Sequence, residues 1–430
     1  MFTFDRLRRS ASTALARDTS WALVGEALTI VVLTLSFTLL GRQLGPEGYG
    51  AFVGLYGLIG PAISVNQSAV GLAIYEHVVG DAEDPRAVGA SCFTSTVLIG
   101  LLLSVLIVGL GSVLLPALPL NVLILFALSE LVFTSLLMMA IALVQAARSF
   151  VAATQLRIVA TVARGAMIVS LAAAGELTLR NLAIGQIVAA FVVYAVVARQ
   201  VARYAGGRMR PGRPRWAMVK SIGTYATGIA ATSVQIGGDK VVLNSAGHTA
   251  DAGLYGAAYR VIMLAQVPVT ALVNSTHLSF LDRETRDPVR LCVRYSAIAG
   301  SYALVATAGL LILAPIVPFL LGSEFEGAVS IMRWLAPIVF LSAITPFPAN
   351  GLLTFGKNGL RTKILIVNAV FSVGLYVALI PPFSWRGAVV ASILAELTMM
   401  VTTWTALLIV RRRERTRGEQ TPASLGDQTS

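Results

Sequence analysis

The sequence predicts an all-α integral membrane protein with about twelve transmembrane helices in two six-helix lobes and both termini in the cytoplasm. Three observations support this fold class: few charged residues, recurring apolar segments, and an uneven distribution of Lys and Arg. Of the 430 residues, 56% are hydrophobic and only 13% are charged. A soluble domain carries roughly 25% charged residues, so this chain has too little polar surface to face water on all sides.

Apolar segments of about twenty residues recur along the whole chain, which is the length that an α-helix needs to cross roughly 30 Å of hydrocarbon. The first segment is longer than the apolar core of a cleaved signal peptide, so we expect an uncleaved first helix. The predicted spans are 21–40, 51–74, 87–110, 122–144, 156–175, 182–201, 222–243, 252–273, 296–320, 328–353, 364–382 and 387–410.

The basic residues give the orientation of these spans. If the spans alternate across the membrane, 26 of the 33 Lys and Arg residues fall on one side, 3 on the other and 4 inside spans. Positively charged loops remain on the cytoplasmic side, so we place both termini there, in a cytoplasmic (inner) cell membrane. The predicted organisation is a cytoplasmic N-terminus (1–20), an N-lobe (21–201), a basic cytoplasmic linker (202–221), a C-lobe (222–410) and a cytoplasmic tail (411–430).

The sequence argues against several other classes of function. A net charge of +12 would suggest nucleic-acid binding in a soluble protein, but membrane insertion accounts for basic residues in short loops. Cys92 and Cys292 lie next to or inside apolar segments, and His77, His248 and His277 are far apart, so we predict neither a disulfide nor a metal site. Nothing resembles a catalytic triad or a phosphate-binding loop. We therefore expect no enzyme and no cofactor, other than H⁺ or Na⁺ as a coupling ion.

The two halves of the chain share a short internal motif. Residues 47–52 read EGYGAF at the start of the second span, and residues 253–258 read GLYGAA at the start of the eighth. The offset that aligns Tyr49 with Tyr255 also brings Pro61 close to Pro268. Proline inside a helix frees a carbonyl and bends the helix, so Pro61 and Pro268 are predicted hinges. Six spans per half give both repeats the same orientation, as in transporters built from parallel repeats.

Several ionisable residues are predicted to lie inside the spans. A charge at the bilayer centre costs about 2.5 to 3.5 kcal/mol on insertion scales, so such residues favour a protein interior or a hydrated cavity. The deepest are Glu130, Arg164, Arg260 and Glu396. Four others lie nearer helix ends, where an interfacial position explains them equally well: Glu26, Asp239, Lys240 and Arg333.

The basic and acidic members of this set suggest different roles. A positive cavity would suit an anionic substrate such as a pyrophosphate, and its predicted residues are Arg164, Arg260, Arg333 and Lys240. A carboxylate could carry a proton or bind sodium, and the predicted ion-coupling residues are Glu26, Asp239, Glu396 and Glu130. Substrate and ion would then compete through charge.

The chain resembles the polysaccharide-transport branch of the multidrug/oligosaccharidyl-lipid/polysaccharide exporter superfamily, which includes O-antigen-type flippases. The resemblance covers nearly the whole chain in the right order, although each motif is loose. The residues that carry it are 41–50 (GRQLGPEGYG), 239–243 (DKVVL), 253–260 (GLYGAAYR), 321–325 (LGSEF) with Arg333, and 380–381 (IP) with 386–388 (RGA). It implies a two-lobed helix bundle that moves lipid-linked oligosaccharide of the undecaprenyl-pyrophosphate type to the outer leaflet by alternating access. Its partners would be membrane lipid and the glycan polymerase and glycosyltransferases of the same pathway.

Other functions stay open at this point. Efflux of amphipathic cations, as in the multidrug branch, is the main alternative, but arginines deep in the spans do not favour a cationic substrate. Flippases of the peptidoglycan precursor carry helices beyond twelve, for which this chain has no room. A membrane-embedded polymerase would have a large external loop, whereas the longest predicted outer loop is near residues 111–121 and holds no acidic or histidine candidate.

Overall fold

The computed structural model describes residues 2–147, 149–204, 210–281 and 287–419, and all regular elements within these ranges are helical. The side chains of 2–24, Glu26, 204, 277–279, 281 and 415–419 lie outside this description. The chain divides into two compact units, residues 1–253 and 254–430. The division falls inside a helix that follows the basic linker, and the lobe boundary at 202–221 stays a prediction.

The first unit consists of long helices that are interrupted by short π-helical segments. These wider turns occur at Val65–Ala69, Glu76–Gly80 and Ser129–Thr134. The helices are α1 (Phe2–Ser64), α2 (Val70–Tyr75), α3 (Pro85–Leu114), α4 (Leu120–Leu128), α5 (Ser135–Ala146), α6 (Phe150–Ala173), α7 (Leu179–Tyr204), α8 (Trp216–Ser245) and the start of α9 (Thr249–Ala265).

The second unit is also helical, and prolines begin or interrupt many of its elements. After α9 come α10 (Val267–Leu281), α11 (Pro288–Leu313), α12 (Ile316–Leu321), a 3₁₀ turn (Ser323–Phe325), α13 (Gly327–Leu335), α14 (Pro337–Ile344), α15 (Pro346–Thr354) and α16 (Asn358–Glu419). Proline has no amide hydrogen to donate, so it is tolerated where a helix begins and breaks the hydrogen-bond ladder elsewhere.

Eight helices in the described ranges are long and apolar enough to cross a membrane, or nine if the bent pair α9 and α10 forms one span. Two of them, Ala27–Gly80 with 54 residues and Asn358–Glu414 with 57 residues, would each extend about 80 Å as straight helices, more than twice the hydrocarbon thickness. Each contains one non-helical residue, Gly45 (φ 63°) and Ser384 (φ 50°), which separates the spans predicted on either side. The prediction of a multi-pass helical membrane protein is therefore confirmed, whereas the count of twelve and the side of the termini stay predictions.

Glycines allow α1 to approach α9 with direct backbone contact. A Cβ atom at Gly50 would lie 1.8 Å from the carbonyl oxygen of Thr249, and one at Gly253 would lie 1.9 Å from that of Pro46. No side chain fits at either distance. The glycine-rich motifs 47–52 and 253–258 therefore include the two positions at which these helices meet, which gives the sequence repeat a packing role in addition to any symmetry.

The same part of α1 also packs closely against α8. A Cβ atom at Gly57 would lie 2.6 Å from the carbonyl oxygen of Gly237, and the Asn244 amide donates to the carbonyl of Gly50 at 3.1 Å. Small residues at helix contacts and amide groups that bond across them are typical of packing inside a bilayer, where water provides no hydrophobic driving force.

Replacing Gly50 or Gly253 by alanine should destabilise the first unit by about 1–3 kcal/mol each, because the added methyl group overlaps backbone atoms that cannot move aside. The matched control is Gly60→Ala on the same helix, where an added Cβ has no neighbour within 4 Å. Thermal unfolding of the purified protein in detergent measures the difference. Equal unfolding temperatures for all three variants would show that α1 and α9 are not in backbone contact.

Candidate functional site

Four helical elements of the first unit bring one polar cluster together inside predicted spans. Tyr56 comes from α1, Glu130 from the π-helical segment between α4 and α5, Arg164 from α6 and Gln186 from α7. We call these four residues the Glu130 cluster. Sequence analysis predicted Glu130 and Arg164 in separate roles, ion coupling and substrate binding, and the structure places them in one ion pair.

Most hydrogen bonds of the Glu130 cluster involve the carboxylate or the guanidinium. Arg164 donates to Glu130 Oε1 at 2.6 Å and to the Tyr56 hydroxyl at 2.5 Å, and that hydroxyl donates to Glu130 Oε1 at 2.5 Å. In the orientation that satisfies both ends of its amide, Gln186 accepts from Arg164 at 2.8 Å and donates to Glu130 at 3.2 Å. One negative and one positive group thus share two neutral bridging side chains.

The two charged members differ in their exposure. The Glu130 side chain is 3% exposed, whereas the Arg164 side chain is 40% exposed. A buried carboxylate without a cation would be strongly unfavourable, so Arg164 neutralises Glu130 while part of its own side chain remains exposed. A guanidinium presents several N–H donors in a planar fork, a geometry that suits phosphate oxygens.

Local structure explains how this geometry arises. The π-helical segment Ser129–Thr134 inserts a wider turn at Glu130, a feature that often marks functional positions. Next to Arg164, a Cβ at Gly165 would lie 2.5 Å from Val32, so only glycine lets α6 pack this closely on α1. The Tyr56 ring packs edge-on against Phe126 with centroids 6.0 Å apart, which fixes its hydroxyl toward the carboxylate.

A second ion pair lies in α8 between neighbouring residues. Lys240 Nζ donates to Asp239 Oδ1 at 2.9 Å and to the carbonyl of Ile236 at 2.7 Å. The two residues are 8% and 2% exposed respectively, so they lie in the interior of the first unit. Their predicted roles, substrate binding for Lys240 and ion coupling for Asp239, stay predictions.

The remaining predicted charges lie mostly in the second unit. Arg260 on α9 is half-buried and Arg333 at the end of α13 is exposed, and neither forms a hydrogen bond or ion pair with the residues that the structure describes. Glu396 on α16 is half-buried. The side chain of Glu26 lies outside the described residues.

The two predicted hinge prolines lie at irregular points of their helices. Pro268 is the second residue of α10, just after a 45° bend between α9 and α10. Pro61 lies inside α1, a few residues before the π-helical segment Val65–Ala69. The positions fit the expected disturbance of the hydrogen-bond ladder by proline, while motion at either proline stays a prediction.

Sequence analysis missed a polar cluster at the end of the first unit that is predicted to be cytoplasmic. His77 lies 2.8 Å from Glu83 and 3.3 Å from the Ser221 hydroxyl, and Arg215 pairs with Glu83. The backbone amide of Arg215 donates to Ser91 at 2.9 Å. These bonds attach the start of α8 to the segment that leads into α3. We call the five residues the linker clamp: His77, Glu83, Ser91, Arg215 and Ser221.

The linker clamp also qualifies the prediction that no metal ligands lie together. His77, Asp81 and Glu83 offer ligand atoms within 4.8 Å of one another, the arrangement that a metal ion would need. Their donors and acceptors are, however, already used, because His77 bonds to Glu83 and Glu83 bonds to Arg215. The hydrogen bonds from Arg215 and His77 hold the pKa of the Glu83 carboxyl below its usual value.

Comparison with known structures identifies the class of proteins that share this fold. An inward-facing multidrug resistance MATE family transporter of the MOP superfamily has a TM-score of 0.72 at 14% identity, covering 89% of this chain and 96% of that chain. A MOP superfamily transporter from Pyrococcus furiosus, described as having a binding pocket of reverse polarity that suggests a different function, has a TM-score of 0.65 at 14% identity, with coverages of 93% and 96%. An outward-facing MATE transporter has a TM-score of 0.61 at 15% identity, with coverages of 93% and 96%.

This chain therefore has the fold of MOP superfamily transporters. The sequence model of the family described as "Polysaccharide biosynthesis protein" matches residues 39–330, so the chain belongs to that family. A comparison with curated proteins finds no match. The resemblance that the motifs suggested is thus confirmed at the level of family and fold.

Removal of Arg164 should destabilise the first unit more than removal of the whole ion pair. Arg164→Ala leaves the Glu130 carboxylate buried without a cation, which we expect to cost about 2–4 kcal/mol, toward the lower end because Arg164 is partly exposed. Adding Glu130→Gln should restore most of that loss. Unfolding temperatures of the two single variants and the double variant measure the coupling, and simple additivity would contradict a direct ion pair.

The linker clamp should weaken at acidic pH. Because the folded-state pKa of Glu83 lies below its usual value, the clamp is complete above the unfolded pKa and is lost as pH falls through the folded pKa. Hydrogen-exchange protection of the Arg215 amide should therefore drop at low pH, after correction for the intrinsic exchange rate. Glu83→Gln should show low protection throughout, whereas Glu176→Gln, on an exposed loop, should behave like the wild type. A protein whose protection is independent of pH would exclude this titration.

Proposed function

We propose that this transporter moves an anionic lipid-linked oligosaccharide, of the undecaprenyl-pyrophosphate type, across the cytoplasmic membrane for polysaccharide biosynthesis, by alternating access. The observation that carries the proposal is Arg164, a guanidinium inside a predicted span that remains 40% exposed while it neutralises a buried carboxylate. Membership of the polysaccharide biosynthesis family supports a glycan as the transported group.

The chemistry of a diphosphate matches the exposed side of Arg164. Phosphate oxygens accept paired N–H donors from a guanidinium with better geometry than a lysine ammonium provides. In the second unit, Arg260 is half-buried and has no partner among the described residues, so it is a further group that an anion would stabilise. Roles for Arg333 and Lys240 in binding the substrate remain part of the same proposal.

The ion pair also suggests how ions are coupled to transport. A proton or sodium ion on Glu130 would neutralise the carboxylate and release the full charge of Arg164 to a phosphate. By thermodynamic reciprocity, a phosphate bound to Arg164 would in turn favour cation binding at Glu130. At this site substrate and cation therefore assist each other, rather than compete as their charges alone suggested. We propose additional coupling roles for Glu26, Asp239 and Glu396.

A cytoplasmic membrane location and neighbouring pathway proteins follow from this function. A substrate assembled on membrane lipid in the inner leaflet would be supplied by glycosyltransferases and consumed by a glycan polymerase after translocation. We propose these enzymes as functional partners.

Cation-coupled multidrug efflux is the second candidate function. It is favoured by the structural similarity to multidrug resistance MATE transporters and by the buried carboxylate of Glu130, which would attract a cationic drug if Arg164 moved away. Under that function, Arg164→Ala should preserve or increase transport of cations. Under glycan transport, the same substitution removes the anion-binding group.

Reconstitution into proteoliposomes distinguishes these functions. With a fluorescent lipid-linked oligosaccharide, Arg164→Ala should lower the flipping rate about tenfold or more, since a lost charged hydrogen bond is worth roughly 1.5–3 kcal/mol. Arg164→Lys should retain part of the rate, and Arg180→Ala, an exposed arginine, is the matched control. In Glu130→Gln the flipping rate should no longer respond to a proton or sodium gradient.

Two results would contradict glycan transport. One is wild-type flipping of the oligosaccharide by Arg164→Ala. The other is transport of ethidium, a cationic dye, by liposomes that leave the oligosaccharide in its original leaflet.

A further inference from the structure

A concave site of about 640 Å³ lies in the first unit, separate from the Glu130 cluster. Its walls include Leu72 and Tyr75 of α2, Gln145 of α5, Phe150 of α6 and Tyr225 of α8. The volume is in the range of sites that bind small molecules. The distribution of basic residues places this end of the helices on the predicted cytoplasmic side.

The lining of this cavity combines aromatic rings with planar polar groups. Tyr75, Phe150 and Tyr225 supply ring faces and two hydroxyls, while Gln145 and Glu76 supply an amide and a carboxylate. Glu76 lies close enough to Tyr225 to act electrostatically on its hydroxyl. A sugar is apolar on its C–H faces and polar at its hydroxyl edges. Aromatic rings can pack against the faces, and amides and carboxylates can form hydrogen bonds with the hydroxyl groups.

Along α6, Arg157 lies between the cavity residue Phe150 and Arg164 of the Glu130 cluster. Arg157 donates to Gln145 at 3.2 Å and lies within electrostatic reach of Tyr75. On α6, Phe150, Arg157 and Arg164 are spaced by seven residues, which returns each to nearly the same helix face about 10 Å further along. One face of α6 therefore runs from the cavity, past an exposed arginine, to the exposed side of Arg164.

We infer that this cavity is a sugar-binding subsite, which holds the first sugars of the lipid-linked glycan when the diphosphate contacts the arginines of α6. The inference rests on the proposed function, because one substrate is taken to contact both places. It assigns a role to Gln145, Tyr75 and Arg157, none of which the sequence predicted as a site residue. It also explains why Arg157, exposed at the rim, is held by an amide rather than by a carboxylate that would cancel its charge.

Binding of two defined probes to the full chain in nanodiscs tests this subsite. The probes are geranyl diphosphate and its glucosyl ester, which share the lipid and the diphosphate and differ by one sugar. Tyr75→Leu and Gln145→Ala should each weaken binding of the glucosyl probe about tenfold, the effect of one lost hydrogen bond or ring contact. Binding of geranyl diphosphate should be unchanged in Tyr75→Leu, and in Gln145→Ala, which frees Arg157, it should change less than binding of the glucosyl probe. Gln155→Ala, an exposed glutamine on α6 outside the lining, is the matched control.

The ratio of the two affinities decides the outcome for each variant, since a general loss of folding or charge affects both probes. A reduced preference for the glucosyl probe in either cavity variant supports the subsite. Equal weakening of both probes would assign the cavity to the lipid or the diphosphate and overturn the inference, as would no change in either. Arg164→Ala should weaken both probes equally. If it weakens neither while the cavity variants reduce the preference, the sugar subsite stands and the proposed role of Arg164 fails.

Discussion

The candidate site of this protein depends on the pairing of a buried carboxylate with a guanidinium inside predicted membrane spans. Glu130 is nearly inaccessible, and a carboxylate in that position needs a cation and hydrogen-bond donors around it. Arg164, Tyr56 and Gln186 meet that need from three other helices. One electrostatic requirement thus connects α1, α6 and α7 to the π-helical segment, and it leaves the Arg164 side chain 40% exposed.

Glycine positions satisfy a second requirement, that helices approach closely without help from water. Gly50 and Gly253 permit backbone contact between α1 and α9, and Gly57 and Gly237 do the same for α1 and α8. The aromatic residues of α1 are supported by this packing, since Phe52 and Tyr56 lie on the same helix between these contacts, with ring centroids 4.7 Å apart. The polar cluster is therefore held by helices whose spacing glycine sets, which connects the internal motif of the sequence to the geometry of the site.

Much of this structure could be predicted from the sequence, and the missing part has a physical reason. Helix length and apolar composition are local properties, so a helical protein that crosses the membrane several times was predictable. The depth of Glu130 and Arg164 was also predictable, but their pairing depends on the register between elements 34 residues apart in sequence. Tyr56 is neutral, so the pattern of charged residues does not indicate it. Its spacing of seven residues from Tyr49 does place both rings on one face of α1.

A buried ion pair is a weak source of stability but a good element for a switch. Desolvation offsets most of the attraction between the two groups, so the paired state lies close in free energy to alternatives that satisfy each group separately. A phosphate on Arg164 together with a cation on Glu130 is such an alternative, because it keeps both charges compensated. Since Glu130 lies in a π-helical segment, where the hydrogen-bond ladder is already irregular, the backbone around it can adjust at lower cost than a regular helix. The proposed function needs two arrangements of similar free energy, and under that proposal the Glu130 cluster would provide the chemical means to exchange one for the other.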